Sequence, residues 1–180
     1  MTKEEIITRL QNAAKEDEEY YMDDDLIDAI NEYPEPFELV EPILEIIGTH
    51  PRVDFGMPGD LVHFLEQFYK HGYEELLVSS VRKNPTAHNI WMVHRCFNDV
   101  NNPKREMFVE LMKELKDDSS ISMDIKKEID EFDWEIWRVK EMNPCISRGS
   151  FYNEFFLKRN KQFLPCLLFS TSPSFSNLFK

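Results

Sequence analysis

Apolar residues recur every three to four positions along most of the chain, which is the spacing of the buried face of an α-helix. Alternation of apolar and polar residues, the pattern of a half-buried strand, does not persist beyond four residues before the C-terminal tail. The pattern therefore predicts an all-α fold of seven or eight helices.

Capping residues indicate where several of these helices begin. Thr2 and Glu5 have the spacing of a capping box, in which each side chain bonds the backbone N–H of the other residue. Asp23 to Asp25 place carboxylates at the start of a second helix, where they complement the helix dipole. Thr86 and Ser122 are the N-caps expected for two later helices.

Proline and glycine indicate where helices end or bend. A third helix is expected from Glu35 to Gly48, with Gly48 as its C-cap and Pro42 causing a kink or a break. Pro58-Gly59-Asp60 begins a fourth helix, which is expected to continue until Gly72 closes it. The last helix is expected to run from Ser122 to beyond Phe132.

Short helices joined by loops of three to six residues follow one another from about residue 58 to residue 137. This succession is typical of stacked antiparallel helical hairpins, as in an α-solenoid. No repeat of the tetratricopeptide or ankyrin kind recurs in the sequence, so a single irregular helical bundle remains the alternative.

Composition divides the chain into an acidic all-α domain, residues 1–142, and a basic tail, residues 143–180. The tail is rich in Phe and Ser, and seven of the chain's 14 Phe lie in residues 151–180. The tail is either a docked aromatic strand or helix, or an extension that is not native to the protein. No function is assigned to it.

Acidic residues dominate, with 34 Asp and Glu against 21 Lys and Arg, for a net charge of −13. Residues 1–50 contain 15 acids and 3 bases and so carry −12 of this charge. Nucleic acids and anionic membranes are therefore not expected partners, because binding to either depends on positive charge. No signal peptide or membrane-spanning run is recognised, and the three widely spaced cysteines fit reduced thiols, so a cytoplasmic location is expected.

The sequence contains no arrangement of residues that favours catalysis. HExxH, EF-hand, GxGxxG, P-loop and GxSxG motifs are all absent. His88 and His94, six positions apart, would lie on opposed sides of a helix, so a zinc site would need ligands brought together by tertiary contact. We therefore predict that the protein is not an enzyme and has no catalytic residues, no metal and no cofactor.

The remaining candidate is a protein-binding surface at the N-terminal end of the chain. Acidic side chains there are interleaved with tyrosines, which together suit a basic partner because charge speeds encounter and tyrosine supplies affinity. The alternative is that the acidity only keeps the protein soluble. The predicted contact residues in this segment are Glu18, Glu19, Tyr20, Tyr21, Asp23, Asp24 and Asp25.

Residues 35–135 resemble a family of small helical immunity proteins from bacterial polymorphic toxin and contact-dependent growth inhibition systems. The resemblance is carried by FGMPGDLVHFLE at residues 55–66, YEELL at 73–77, NPT at 84–86 and IWMVHR at 90–95. It implies a protein that binds and neutralises a cognate toxin domain. Many such toxins are nucleases with basic clefts, in which an acidic inhibitor would occupy the place of the phosphate backbone.

Two polar residues of these runs, His63 and Arg95, lie on otherwise apolar helices and complete the predicted set of partner-binding residues. They are expected to bond each other or a loop carbonyl, or to line a groove. Trp91 is expected to fill the interface between hairpins. An alternative function is a helical-repeat scaffold or adaptor that binds a basic protein or peptide on its concave side.

Overall fold

The all-α prediction is confirmed by a computed structural model, which describes residues 1–16 and 20–136. Within these residues the chain forms α-helices and one 3₁₀ helix, and no strand. The elements are α1 (Lys3–Ala13), α2 (Asp24–Asn31), the 3₁₀ helix (Pro36–Leu39), α3 (Val40–Thr49), α4 (Asp60–Glu66), α5 (Tyr73–Lys83), α6 (Ala87–Phe97), α7 (Arg105–Asp117) and α8 (Met123–Asp130). Glu18, Glu19 and the tail from residue 143 lie outside the described residues.

The predicted N-caps are confirmed. The Thr2 hydroxyl accepts the Glu5 N–H at 3.2 Å, and the Thr2 N–H donates to the Glu5 carboxylate at 2.8 Å. Thr86 and Ser122 cap α6 and α8 through their side-chain oxygens. Because each cap satisfies an N–H that has no partner within its helix, local sequence alone is enough to place these helix starts.

The predicted third helix differs from the one observed in two respects. It begins as the 3₁₀ helix and becomes α-helical at Val40, before Pro42. Pro42 is the third residue of α3, where no N–H is needed because the first four have no intrahelical partner. Gly48 is not a C-cap but lies inside α3, where a Cβ would come within 3.3 Å of the Cβ of Asn84. Glycine at this position allows α3 to approach the end of α5.

The fourth helix is shorter than predicted, since α4 ends at Glu66 and a turn follows. Lys70 and Gly72 both have positive φ, 66° and 102°, which an α-helix cannot continue through. Gly72 is therefore the N-cap of α5 and not the end of α4. The buried Glu74 carboxylate stabilises this turn by accepting the Lys70 N–H at 3.0 Å.

The last helix also ends before the predicted residue. α8 stops at Asp130, so Phe132 lies in the segment that follows it. The Phe132 ring stacks on the His94 ring of α6 with centroids 4.5 Å apart, and Trp134 contacts His94 edge-on at 5.2 Å. The segment after α8 thus continues to cover α6 without being helical.

The helices pack in the order expected of stacked hairpins. α1, α3, α5 and α7 each contact the next in this series, and α6 contacts α8. α5 and α6, and α7 and α8, are also neighbours in sequence and in space. Contacts between neighbouring and next-but-one helices are typical of a solenoid, whereas the contact of α3 with α6 joins helices three positions apart, as in a bundle, so the packing combines features of both predicted architectures.

We expect Thr86→Ala to lower the free energy of unfolding by about 1–2 kcal/mol, because a buried cap is lost. Thr86 is 2% exposed and exchanges two hydrogen bonds with Asn89, whose amide in turn donates to the Asn84 carbonyl at 2.8 Å. Urea denaturation followed by circular dichroism measures the change. Ser122→Ala removes an exposed cap as a control, and an equally large loss there would contradict the role assigned to burial.

Candidate functional site

The solvent-facing side of α2 is a row of carboxylates. Leu26 and Ile30 are buried against the core, which turns the other side of this short helix outward. The acids on that side are Asp24, Asp25, Asp28 and Glu32, all exposed. None of the four forms an ion pair with another residue in the described parts of the chain. We call these four residues the acidic face.

The surrounding sequence contains no base that could neutralise this face. Residues 16–51 contain 13 acids and no Lys or Arg. The ion pairs that do form use bases from distant positions, as when Lys3 pairs with Glu38 at 3.3 Å and Lys83 with Glu45 at 2.8 Å. The acidic face therefore keeps its charge exposed to solvent.

Asp23, although predicted with Asp24 and Asp25, has a different environment. Its carboxylate accepts the Leu26 N–H at 2.9 Å as the N-cap of α2, and it accepts from the Arg9 guanidinium at 2.6 Å. The hydrogen bond from Arg9 and, to a smaller extent, the one from the Leu26 N–H lower the pKa of Asp23. Asp23 thus joins α1 to α2, and we assign it to the fold and not to the acidic face.

The two neighbouring tyrosines also separate. Tyr20 is half-buried, and its hydroxyl donates to the Leu10 carbonyl at 3.0 Å. Burial raises the pKa of its phenol. Tyr21 is 76% exposed, so its ring is presented to solvent beside the acidic face. Of the predicted pair, Tyr21 alone has the exposure that a partner contact needs.

A bond between His63 and Arg95, one of the predicted arrangements, is not observed. Both side chains instead lie close to the Glu66 carboxylate. Arg95 donates two hydrogen bonds to the Glu66 carboxylate, at 2.5 and 3.0 Å, while the His63 ring nitrogen lies 4.0 Å from it. The Arg95 guanidinium also lies 5.0 Å above the Trp91 ring. The ion pair of Arg95 with Glu66 thus joins α6 to α4, while Trp91, which is 4% exposed, contacts Arg95 within α6.

His88 extends this cluster toward the loop before α4. Its ring lies 5.5 Å from Trp91 and 5.6 Å from Phe55. Burial lowers the pKa of His88 to about 4, and the nearby Asp54 carboxylate offsets only part of that effect. The neutral imidazole is thus a packing element between α6 and the loop.

Neither a three-ligand metal site nor an ionised cysteine is found in the part of the chain that the structure describes. In residues 1–16 and 20–136 no three His, Cys, Asp or Glu side chains are placed to hold a metal ion. Cys96 is 5% exposed, and burial, together with the Glu74 and Glu66 carboxylates, raises the pKa of its thiol. A thiol that resists ionisation is a poor nucleophile.

No protein-family model, curated protein or solved structure matches this chain. The function of the candidate site can therefore be inferred only from its geometry and charge. None of the helices in the described part of the chain is long and apolar enough to cross a membrane. What distinguishes the surface is the acidic face together with the exposed Tyr21.

Two acids of this face, Asp28 and Glu32, are absent from the predicted contact residues. Their signal was present in the sequence, because they follow Asp24 and Asp25 at the three- to four-residue spacing that places side chains on one side of a helix. Met57 was also missed as an exposed residue, being 56% exposed. An apolar residue within a proline-glycine turn has no local pattern that distinguishes exposure from burial.

We expect His88 to make the protein less stable in mild acid. A folded pKa of about 4 against an ordinary 6.5 means that the unfolded chain binds more protons between these values, so stability falls as pH falls through this window. The slope from this residue reaches up to about 1.4 kcal/mol per pH unit. Urea unfolding from neutral pH down to the folded pKa should show a shallower decline for His88→Gln than for wild type.

His63→Gln is the matched control, since the His63 side chain is 51% exposed. At neutral pH its free energy of unfolding should stay within about 0.5 kcal/mol of the wild-type value, as is usual for exposed positions. Identical profiles for His88→Gln and wild type would show that His88 protonates equally in the folded and unfolded states.

Proposed function

We propose that this protein is an immunity protein, which binds a cognate bacterial toxin domain and neutralises it by covering a basic surface. The observation that carries the proposal is the acidic face, Asp24, Asp25, Asp28 and Glu32, exposed and without ion pairs among the described residues. A surface with this charge attracts a basic partner and speeds their encounter. The resemblance of residues 35–135 to immunity proteins points the same way.

A nuclease is the toxin class that such a surface fits best. A nuclease cleft is lined with positive charge to hold phosphates, and a row of carboxylates can occupy the same positions. The inhibitor would act in the cytoplasm, where a nuclease meets its substrate. Inhibition then needs no catalysis by the immunity protein.

Solubility alone does not account for where the charge lies. A solubilising charge works when it is dispersed over the whole surface with both signs mixed. Here residues 1–50 carry a net charge of −12 out of −13 for the chain. Concentration in one region leaves like charges close together, which is unfavourable for an isolated protein and favours a role in binding.

A scaffold or adaptor is the second candidate, favoured by the stacked order of the helices. Such a protein would hold a basic peptide on its concave side without abolishing any activity. The two functions differ in outcome, because only an immunity protein suppresses the toxicity of its partner.

The test uses the C-terminal domain of the protein encoded by the adjacent gene. Mixed with the full-length chain, this domain should form a stoichiometric complex in size-exclusion chromatography, and co-expression should restore growth to cells that produce it. An unrelated toxin domain is the control and should remain toxic. Absence of a complex at micromolar concentration, with toxicity unchanged, would contradict the proposal.

We expect removal of three charges from the acidic face to slow association with that domain. Asp24→Asn, Asp25→Asn and Asp28→Asn together should lower the association rate by roughly tenfold at low salt and weaken its salt dependence. Stopped-flow measurements at low and physiological ionic strength provide both values. Asp23 is left intact because it caps α2.

The matched control removes three exposed acids elsewhere that form no ion pair within the described residues. These are Glu110, Asp117 and Glu131, changed to Gln, Asn and Gln. The control has the same net charge as the test variant, so it should retain nearly the wild-type rate. Equal slowing in both variants would mean that total charge, and not the acidic face, steers the encounter.

A further inference from the structure

Two segments that are far apart in sequence are tied together beside the acidic face. The Tyr20 N–H donates to the Asp54 carbonyl at 2.8 Å, and the rings of Tyr20 and Phe55 lie 4.9 Å apart. Both rings turn toward the protein interior. The adjacent Tyr21 and the nearby Met57 turn outward and are 76% and 56% exposed.

The loop that presents Met57 has a tightly constrained backbone. Gly56 has φ +77°, and its N–H donates to the Asp54 carboxylate at 2.9 Å. A Cβ on Gly59 would lie 1.9 Å from the Phe55 carbonyl oxygen, so only glycine fits there. Phe55 is itself 3% exposed and fixed by Tyr20 and His88. Met57 is thus held in an exposed position by a preorganised loop, which lowers the entropy lost on binding.

Tyr21 and Met57 lie close enough to contact one partner. Tyr21 is one residue from Tyr20, and Met57 is three residues from Asp54, across a single hydrogen bond. With about 3.8 Å between successive Cα atoms, the two Cα atoms are at most about 22 Å apart. A standard interface of about 800 Å² per partner is roughly 32 Å across, so both residues fit within it.

Exposed carboxylates lie close in sequence to these two side chains. Asp24 and Asp25 follow Tyr21, while Asp54 and Asp60 flank the loop of Met57. All four are exposed, and none is in an ion pair with another residue that the structure describes. Tyr21 and Met57 are therefore exposed side chains in acidic stretches of the chain.

We propose that Tyr21 and Met57 are the two anchors of the toxin-binding surface, whose partner presents apolar depressions surrounded by Lys and Arg. This inference rests on the proposed function. Tyrosine and methionine are enriched where interfaces are most buried, and a charged rim excludes mismatched partners. The acids steer the partner, and the two apolar side chains supply most of the affinity.

Other exposed apolar residues lie elsewhere in the fold and serve as controls. Met123 is 66% exposed at the first position of α8, and Val100 is 72% exposed in the turn after α6. Neither belongs to the tied segments. Met123→Ala thus removes the same side chain as Met57→Ala from a surface without this role.

The test measures binding of full-length variants to the C-terminal domain of the adjacent gene product by isothermal titration calorimetry. Tyr21→Ala and Met57→Ala should each raise Kd by about tenfold or more, because anchor residues account for most of the binding energy. Met123→Ala and Val100→Ala should change Kd by less than about twofold. Thermal unfolding of each variant verifies that the fold is retained, as expected for exposed side chains.

The outcomes separate this inference from the proposed function. If wild type binds and Tyr21→Ala and Met57→Ala bind equally well, the anchors are wrong while the immunity function stands. An equal loss in Met123→Ala would also overturn the assignment, since it would show no preference for this surface. If wild type itself does not bind, both the proposed function and the anchors fall.

Discussion

Burial of α3 is the constraint on which the rest of the structure depends. Six of its ten residues are buried, including Ile43, Leu44, Ile46 and Ile47, so the helix is apolar around most of its circumference. Such a helix requires neighbours on nearly every side. α1, α5, α6 and the 3₁₀ helix provide them, and Gly48 allows close contact with the end of α5. These four elements pack around α3, while α7 and α8 pack mainly against α5 and α6.

The same arrangement determines where the charge is found. α2 fully buries only Leu26 and Ile30, with Ile27 and Ala29 partly buried beside them, and its acids face solvent. Like charges at three- and four-residue spacing destabilise a helix, and α2 has no basic side chain to offset them. The Asp23 cap and its pair with Arg9 hold the start of α2 despite this repulsion. A basic partner would relieve the repulsion among these carboxylates. The residues that destabilise α2 are thus the ones proposed to bind.

Several residues in the distinctive runs at 55–66 and 84–95 have structural roles. Gly59 fits only because it lacks a side chain, Thr86 and Asn89 cap α6, and Arg95 joins α6 to Glu66 of α4. Met57 is the exception, since it is exposed where its neighbours are engaged. A run can therefore be distinctive because it builds a rigid loop, with one residue of that loop left for a partner.

Helix starts were predictable because a cap is a local interaction between residues three positions apart, as for Thr2 and Glu5. Helix ends were less predictable. Glycine is typical of helix ends, but Gly72 has a left-handed backbone in the turn before α5, and Gly48 lies where α3 approaches the end of α5. The acidic character of the site could be read from the sequence, and Asp28 and Glu32 could have been added from helical spacing. The different environments of Tyr20 and Tyr21 could not be predicted from the sequence, because Tyr20 is held by its contacts with Leu10 and Asp54.

The sequence by itself determined the all-α class, the helix caps and the concentration of negative charge near one end, since each follows from spacing and composition. Tertiary structure alone decided which of these polar residues remain available. Asp23 and Arg95 found partners within the fold, whereas the acidic face did not, because no base folds back onto it in the described residues. Whether a polar side chain is left without a partner depends on which distant segments come into contact. The spacing of residues along the chain does not determine those contacts.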